Sequence, residues 1–96
     1  MNEYLLLIHG NEQSATSADE WERFFDAAWT SGVFRGGSEV GKREFVGDQV
    51  SARSSAHIVG YMRFESDDKQ VILSLLELHP VVLHGGTVEL CELPKS

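Results

Sequence analysis

A single cysteine and two prolines in 96 residues set the first limits on this chain. One cysteine, Cys91, permits no internal disulfide and no CxxC metal or redox motif, so its expected role is a small buried apolar side chain in a strand. Long hydrophobic runs are also missing. The longest, Tyr4 to Ile8, falls far short of the roughly 20 apolar residues that cross a bilayer. Asn2-Glu3 lacks the basic opening of a secretory signal, and a cytoplasmic location is expected. Positive charge is scarce, with 8 Lys and Arg against 15 Asp and Glu, a formal charge of −7. Such a surface repels phosphate backbones and anionic lipid, which argues against nucleic-acid and membrane partners. No linker, repeat or low-complexity stretch divides the sequence, and residues 1–96 are expected to form a single domain.

What the chain does have is apolar residues in short, punctuated runs. At 42% hydrophobic it is too apolar for disorder, yet a domain this small gains stability by oligomerising. Tyr4-Leu5-Leu6-Leu7-Ile8-His9, stopped by Gly10-Asn11, predicts a strand that is apolar on both faces. Ser17 and Glu20 have capping-box spacing and open a predicted helix. Its stripe is Trp21, Phe24, Phe25, Ala28 and Trp29, and Gly32 ends it in a left-handed conformation. A second strand is predicted from Val33 to Val40, followed by an irregular polar arm over residues 41–55. His57 to Phe64 reads as a third strand in which Gly60 marks a bulge or a close approach. Ser66 is the expected cap of a second helix with Asp67 and Asp68 in its first turn. Ile72, Leu75, Leu76 and His79 form its buried stripe, and Pro80 ends it. Thr87 to Leu93 reads as the last strand, closed by Pro94.

The order β-α-β-β-α-β predicts an α+β, ferredoxin-like fold with a four-stranded antiparallel sheet in the order 4-1-3-2 and both helices on one face. Leu5 and Leu7 would then point to an uncovered face. A strand apolar on both sides needs covering on both, so a homodimer formed through the open sheet face is expected. The same topology gathers the four histidines at one end of the sheet. His9 ends the first strand, His57 begins the third, His79 follows the second helix and His84 precedes the fourth strand; Trp21 lies at that end too.

Several of these segments, in this order, resemble the YCII-related (DGPF-like) family: Leu5-Leu6-Leu7-Ile8-His9-Gly10, Gly32-x-x-x-Gly36-Gly37, Gly60-Tyr61, His79-Pro80 and Gly85-Gly86-x-x-Glu89. The resemblance covers nearly the whole chain. It implies a dimeric α/β barrel in which two ferredoxin-like sheets face each other around a cleft, a fold shared with small cofactor-free oxygenases and isomerases. In that family a His and Asp pair is regarded as the catalytic element. Here Trp21 stands in place of the helix-one His and His79 in place of the Asp before Pro, and no Asp-Gly-Pro-Phe loop is present. The pair is therefore not carried over.

His79 is the leading candidate acid or base, with His57 beside it, because imidazole titrates near neutrality when a carboxylate orients its second nitrogen. Glu89 is the candidate orienter; the competing role for His79 is capping the carbonyls at the end of its helix. His9, Trp21, Tyr61, His84 and Glu89 are the candidate ligand-binding residues. No metal signature is present, and no cofactor is expected. Arg35 and Arg63 suit either an anionic ligand or local ion pairs. Neither Gly-Gly pair is a phosphate loop, since no Lys-Ser/Thr follows. Two functions remain open: a non-catalytic module that binds a small ligand or regulates, and a cofactor-independent lyase or isomerase working through histidine acid/base chemistry.

Overall fold

Alternating side chains make β1, Asn2–His9, the centre of the fold. Tyr4, Leu6 and Ile8 are buried on one face while Leu5 and Leu7 are half-buried on the other. The computed structural model describes residues 1–95. After β1 come α1 (Ala18–Ser31), β2 (Phe34–Glu39), β3 (Ile58–Ser66), α2 (Lys69–Leu76), α3 (Pro80–Leu83) and β4 (Val88–Leu93). The sheet order is β2-β3-β1-β4 with every neighbouring pair antiparallel, which is the order expected.

The predicted ends of α1 are observed. Ser17 accepts from the Glu20 amide, the Glu20 carboxylate accepts from the Ser17 amide, and Gly32 adopts φ 77° as the C-cap. The next helix departs from expectation at both ends. Its N-cap is Asp68, whose carboxylate accepts from the Gln70 amide, while Ser66 ends β3 and bonds the Asp68 backbone. Two good capping residues two positions apart compete, and the sheet register claims the first. At the other end, i→i+3 bonds from Leu78 to Leu75 and from His79 to Leu76 tighten and stop the chain. Pro80 then starts a new helix rather than ending the old one, because a proline at the first helical position needs no amide partner.

One core joins Tyr4, Leu6 and Ile8 with Phe24, Ala28, Phe34, Met62, Phe64, Ile72, Leu75, Leu76 and Val81. It lies wholly on the helix side of the sheet. The molecule is only 18 Å thick in its smallest dimension, about one sheet and one helix layer, so the opposite face of the sheet is bare. That face carries Leu5 and Leu7 beside Arg63, Tyr61, Cys91 and Glu89. Cys91 is thus half-buried on the open face rather than sealed in the core. Among the described residues no helix is long and apolar enough to cross a membrane.

Two irregularities shape the β2–β3 half of the sheet. Between Phe34 and Gly37, β2 spends one residue more than β3, and Gly36 takes φ 99° to allow it. Between Ile8 and His9 the register slips against Gly60 and Ile58, leaving Val59 as the extra residue beside Gly60, and Gly60 itself is closely approached by the Ser38 oxygen; of the bulge or close approach expected there, both occur.

Candidate functional site

The five-residue stripe of α1 divides in two. Phe24 and Ala28 go straight into the core, while Trp21, Phe25 and Trp29, at i, i+4 and i+8, turn toward the β2–β3 half of the sheet. There they wall a cleft of about 670 Å³. Ile8, Phe34, Val59, Met62 and Val81 add to its apolar lining, residues 36–40 form its outer edge, and Glu12 and Thr16 border it from the loop before α1. The sheet wall is low because it is partly glycine. A Cβ on Gly37 would collide with the Tyr61 carbonyl oxygen and lie 2.9 Å from Met62 Cα; one on Gly60 would sit 3.2 Å from the Ser38 oxygen.

The aromatic walls are ordered by ring contacts. Trp21 stacks on Phe25 with centroids 5.8 Å apart, and Trp29 meets Phe34 edge to face at 4.6 Å. The Trp21 indole N–H donates to Thr16 Oγ1 at 3.0 Å, tying the loop to α1. Trp29 is 59% exposed, an unusual position for the largest apolar side chain. Among the described residues, Glu12 and Glu39 are the only charged ones lining the cleft. The cleft opens on the helix-facing side of the sheet, whereas the cleft implied by the family resemblance would lie on the open side.

The four histidines do collect at one end of the sheet, but in three separate surroundings. His79 is fully buried, edge-on to Trp21 at 5.0 Å and to Phe24 at 4.8 Å. Its Nδ1 accepts from the Val81 amide at 3.2 Å, so the ring caps the start of α3 and not the end of α2. Nε2 therefore carries the proton, and it is the one buried side-chain nitrogen or oxygen without a hydrogen-bond partner among the described residues. Burial pushes the imidazole down to about 4, so it is neutral at physiological pH.

His84 is tethered on both sides. Nε2–H donates to Glu20 at 2.8 Å, and the Ser14 hydroxyl donates to Nδ1 at 2.7 Å. That bond from His84, followed by the one from the Ser17 amide, holds the Glu20 carboxyl below its usual range. His9 donates to Glu89 at 2.8 Å, and the exposed His57 ring lies 5.1 Å from that of His9. Glu89 is thus engaged with His9 and not with His79. Tyr61 pairs with Leu7 and shares its half-buried face. Arg35 bonds Glu65 at 2.9 Å and Arg63 lies 3.7 Å from Glu3, so both are used in local ion pairs. Among the described residues no three His, Cys, Asp or Glu side chains converge as metal ligands would.

Of the residues singled out from sequence, Trp21 and Tyr61 line the cleft: Trp21 touches His79 behind it, and Tyr61 borders it from β3 between Gly60 and Met62. Phe25, Trp29, Glu12 and Glu39 were missed. The stripe on α1 gave the available signal: three large aromatics flanking Phe24 and Ala28 are more than a single core face of one helix can bury in so small a domain. Searched against protein-family models and against curated proteins, the sequence matches none.

Proposed function

We propose that this chain is a small-molecule-binding module that works as a homodimer, with the ligand held in the aromatic cleft and the open sheet faces of two copies apposed. The observation that carries the ligand site is the cleft of about 670 Å³ walled by Trp21, Phe25, Trp29 and Phe34. Its size falls within the roughly 300–1,000 Å³ of small-ligand sites, which are mostly apolar with a few polar groups at the rim. Among the described residues no histidine lines it, which favours binding over acid/base chemistry there. The half-buried Leu5 and Leu7 favour the dimer, as does the resemblance to YCII-related proteins with facing sheets.

Both tryptophans of the chain border the cleft, so their two indole N–H resonances report on it directly. Titration with three naphthalenes of different charge, naphthylmethyl-trimethylammonium, naphthylmethanol and naphthylacetate, is expected to move both resonances saturably with at least one of them. Absence of a saturable shift with all three would overturn the binding reading.

A second reading, a cofactor-independent enzyme, has one observation in its favour. Ser14, His84 and Glu20 form a hydroxyl–imidazole–carboxylate chain at 2.7 and 2.8 Å, with the hydroxyl at the surface. Such a chain can activate a hydroxyl. In that reading His84 takes the acid/base role, because His79 is sealed and His57 has no carboxylate at its side. Failure of Ser14 to react with a fluorophosphonate probe would remove it.

A further inference from the structure

Resting on the reading of the aromatic cleft as a ligand site, we propose that its ligand is an organic cation, a quaternary ammonium or protonated amine carried on a flat apolar body. The charge pattern of the lining comes first. Among the described residues, both charged ones that line the cleft, Glu12 and Glu39, are acidic, and no Lys, Arg or His contributes to the wall. The two arginines nearest the cleft are engaged elsewhere: Arg35 bonds Glu65 and the Gly32 and Phe34 carbonyls, and Arg43 donates to the Ile58 carbonyl. Lys42 is exposed two residues beyond Val40 and is not part of the lining. An anion entering here would give up hydration and meet no compensating charge. The formal −7 of the whole chain acts in the same direction, enriching cations at the surface and repelling anions.

The arrangement along the cleft gives the ligand a polarity. Glu39 pairs with Gly60, which also pairs with Ile8, so Glu39 lies at the end of the sheet where β1 runs into the loop carrying Glu12. Trp21, in the first turn of α1, lies at that same end, and Trp29 lies two turns away, about 12 Å along the helix. The cationic head therefore belongs between the carboxylates and the Trp21 indole. The flat body extends toward Trp29 and Phe34. Indole is the strongest of the aromatic cation binders, because its ring face carries the negative end of the π quadrupole. A carboxylate nearby adds attraction without having to enter the apolar part.

The test uses the wild-type protein at low ionic strength and the two indole resonances with the same three naphthalenes. The trimethylammonium compound is expected to bind about tenfold more tightly than the alcohol, and the acetate more weakly than either. In the double variant Glu12→Gln/Glu39→Gln the gap between ammonium and alcohol is expected to shrink to within about twofold. The cation assignment is overturned if the alcohol or the acetate binds as tightly as the ammonium; the cleft then still binds and only its ligand class is wrong. A double variant that keeps the full gap overturns the part given to Glu12 and Glu39 and leaves the preference to the Trp21 indole alone. Silence of both resonances toward all three compounds removes the cleft as a ligand site and this assignment with it.

Discussion

His84 points its Nε2 at both carboxylate oxygens of Glu20, at 2.8 Å from each, although the two residues stand 64 positions apart in sequence. The bond joins the loop before β4 to the first turn of α1, and Ser14 on the other ring nitrogen draws in the loop between them. Glu20 already closes the capping box with Ser17, so one carboxylate organises three segments. Its carboxyl is held below its ordinary value of 4.5 by these bonds. A depressed carboxylate stabilises the fold fully above its unfolded value, and that contribution is lost as pH falls through the lowered one. Glu20→Gln keeps the capping geometry and removes the charge. The expected outcome is a lower melting temperature at neutral pH that converges on wild type in acid, measured by thermal unfolding across pH. His84→Ala should also raise hydrogen exchange at the Gln13 amide, which donates to the His84 carbonyl and depends on that loop staying docked.

His79 makes a pH prediction of the same sign, from a buried position and through a different cause, desolvation. Its folded value near 4 lies below the ordinary 6.5, so the unfolded chain binds the proton more readily. Stability then rises with pH between the two values, is fully present above 6.5, and is lost on acidification toward 4. The loss between pH 7 and pH 5 is expected to be on the order of 2 kcal/mol from this residue. His79→Asn retains a side-chain acceptor for the Val81 amide and removes the titration. Urea unfolding at the two pH values should show a difference for wild type that is about 2 kcal/mol larger than for the variant. Equal differences would mean that His79 is protonated inside the folded protein.

What could be read from the sequence was whatever depended on neighbours in sequence or on strand direction. Ser17 with Glu20, and Gly32 after Trp29, fix α1 through bonds spanning three residues, and both were legible. The strand order followed from the order of elements, and with it the collection of histidines at one end. Side-chain pairing across elements was not legible, because it turns on how each ring projects from a bulge or a helix end. Glu89 therefore meets His9 and not His79, and Glu20 meets His84. The cleft was hidden for a related reason. Trp21, Phe25 and Trp29 have the spacing of a core stripe, and only the width of sheet beneath α1 decides which of them find a partner.

The sheet wall of the cleft depends on Gly37 lacking a side chain. In Gly37→Ala the new methyl meets the Tyr61 carbonyl and Met62 Cα, both backbone atoms of the neighbouring strand that cannot rotate away. The pairing of β2 with β3 has to yield, at an expected cost of about 3 kcal/mol. Gly36→Ala meets nothing within 4 Å and is strained only by its φ of 99°. Its expected cost is about 1–2 kcal/mol. Chemical denaturation should rank the two in that order, and a Gly36 variant that is the less stable would show that backbone strain outweighs the close approach.

Leu7 offers the sharpest test of the proposed dimer, because it lies on the open face between Tyr61 on β3 and Glu89 on β4. A lysine there costs little in a monomer, since its stem can lie along Leu5 and Tyr61 while its ammonium reaches water and Glu89. Between two apposed sheets the same lysine and the Glu89 carboxylate it reaches are both taken out of water, and that desolvation outweighs what the remaining contacts supply. Wild type is expected to scatter light as twice the 10.7 kDa chain at micromolar concentration, and Leu7→Lys as a folded single chain with an unchanged circular dichroism spectrum. Wild-type protein that scatters as a monomer would mean that the half-buried Leu5 and Leu7 are tolerated in water, and would leave the open face without the second copy proposed for it.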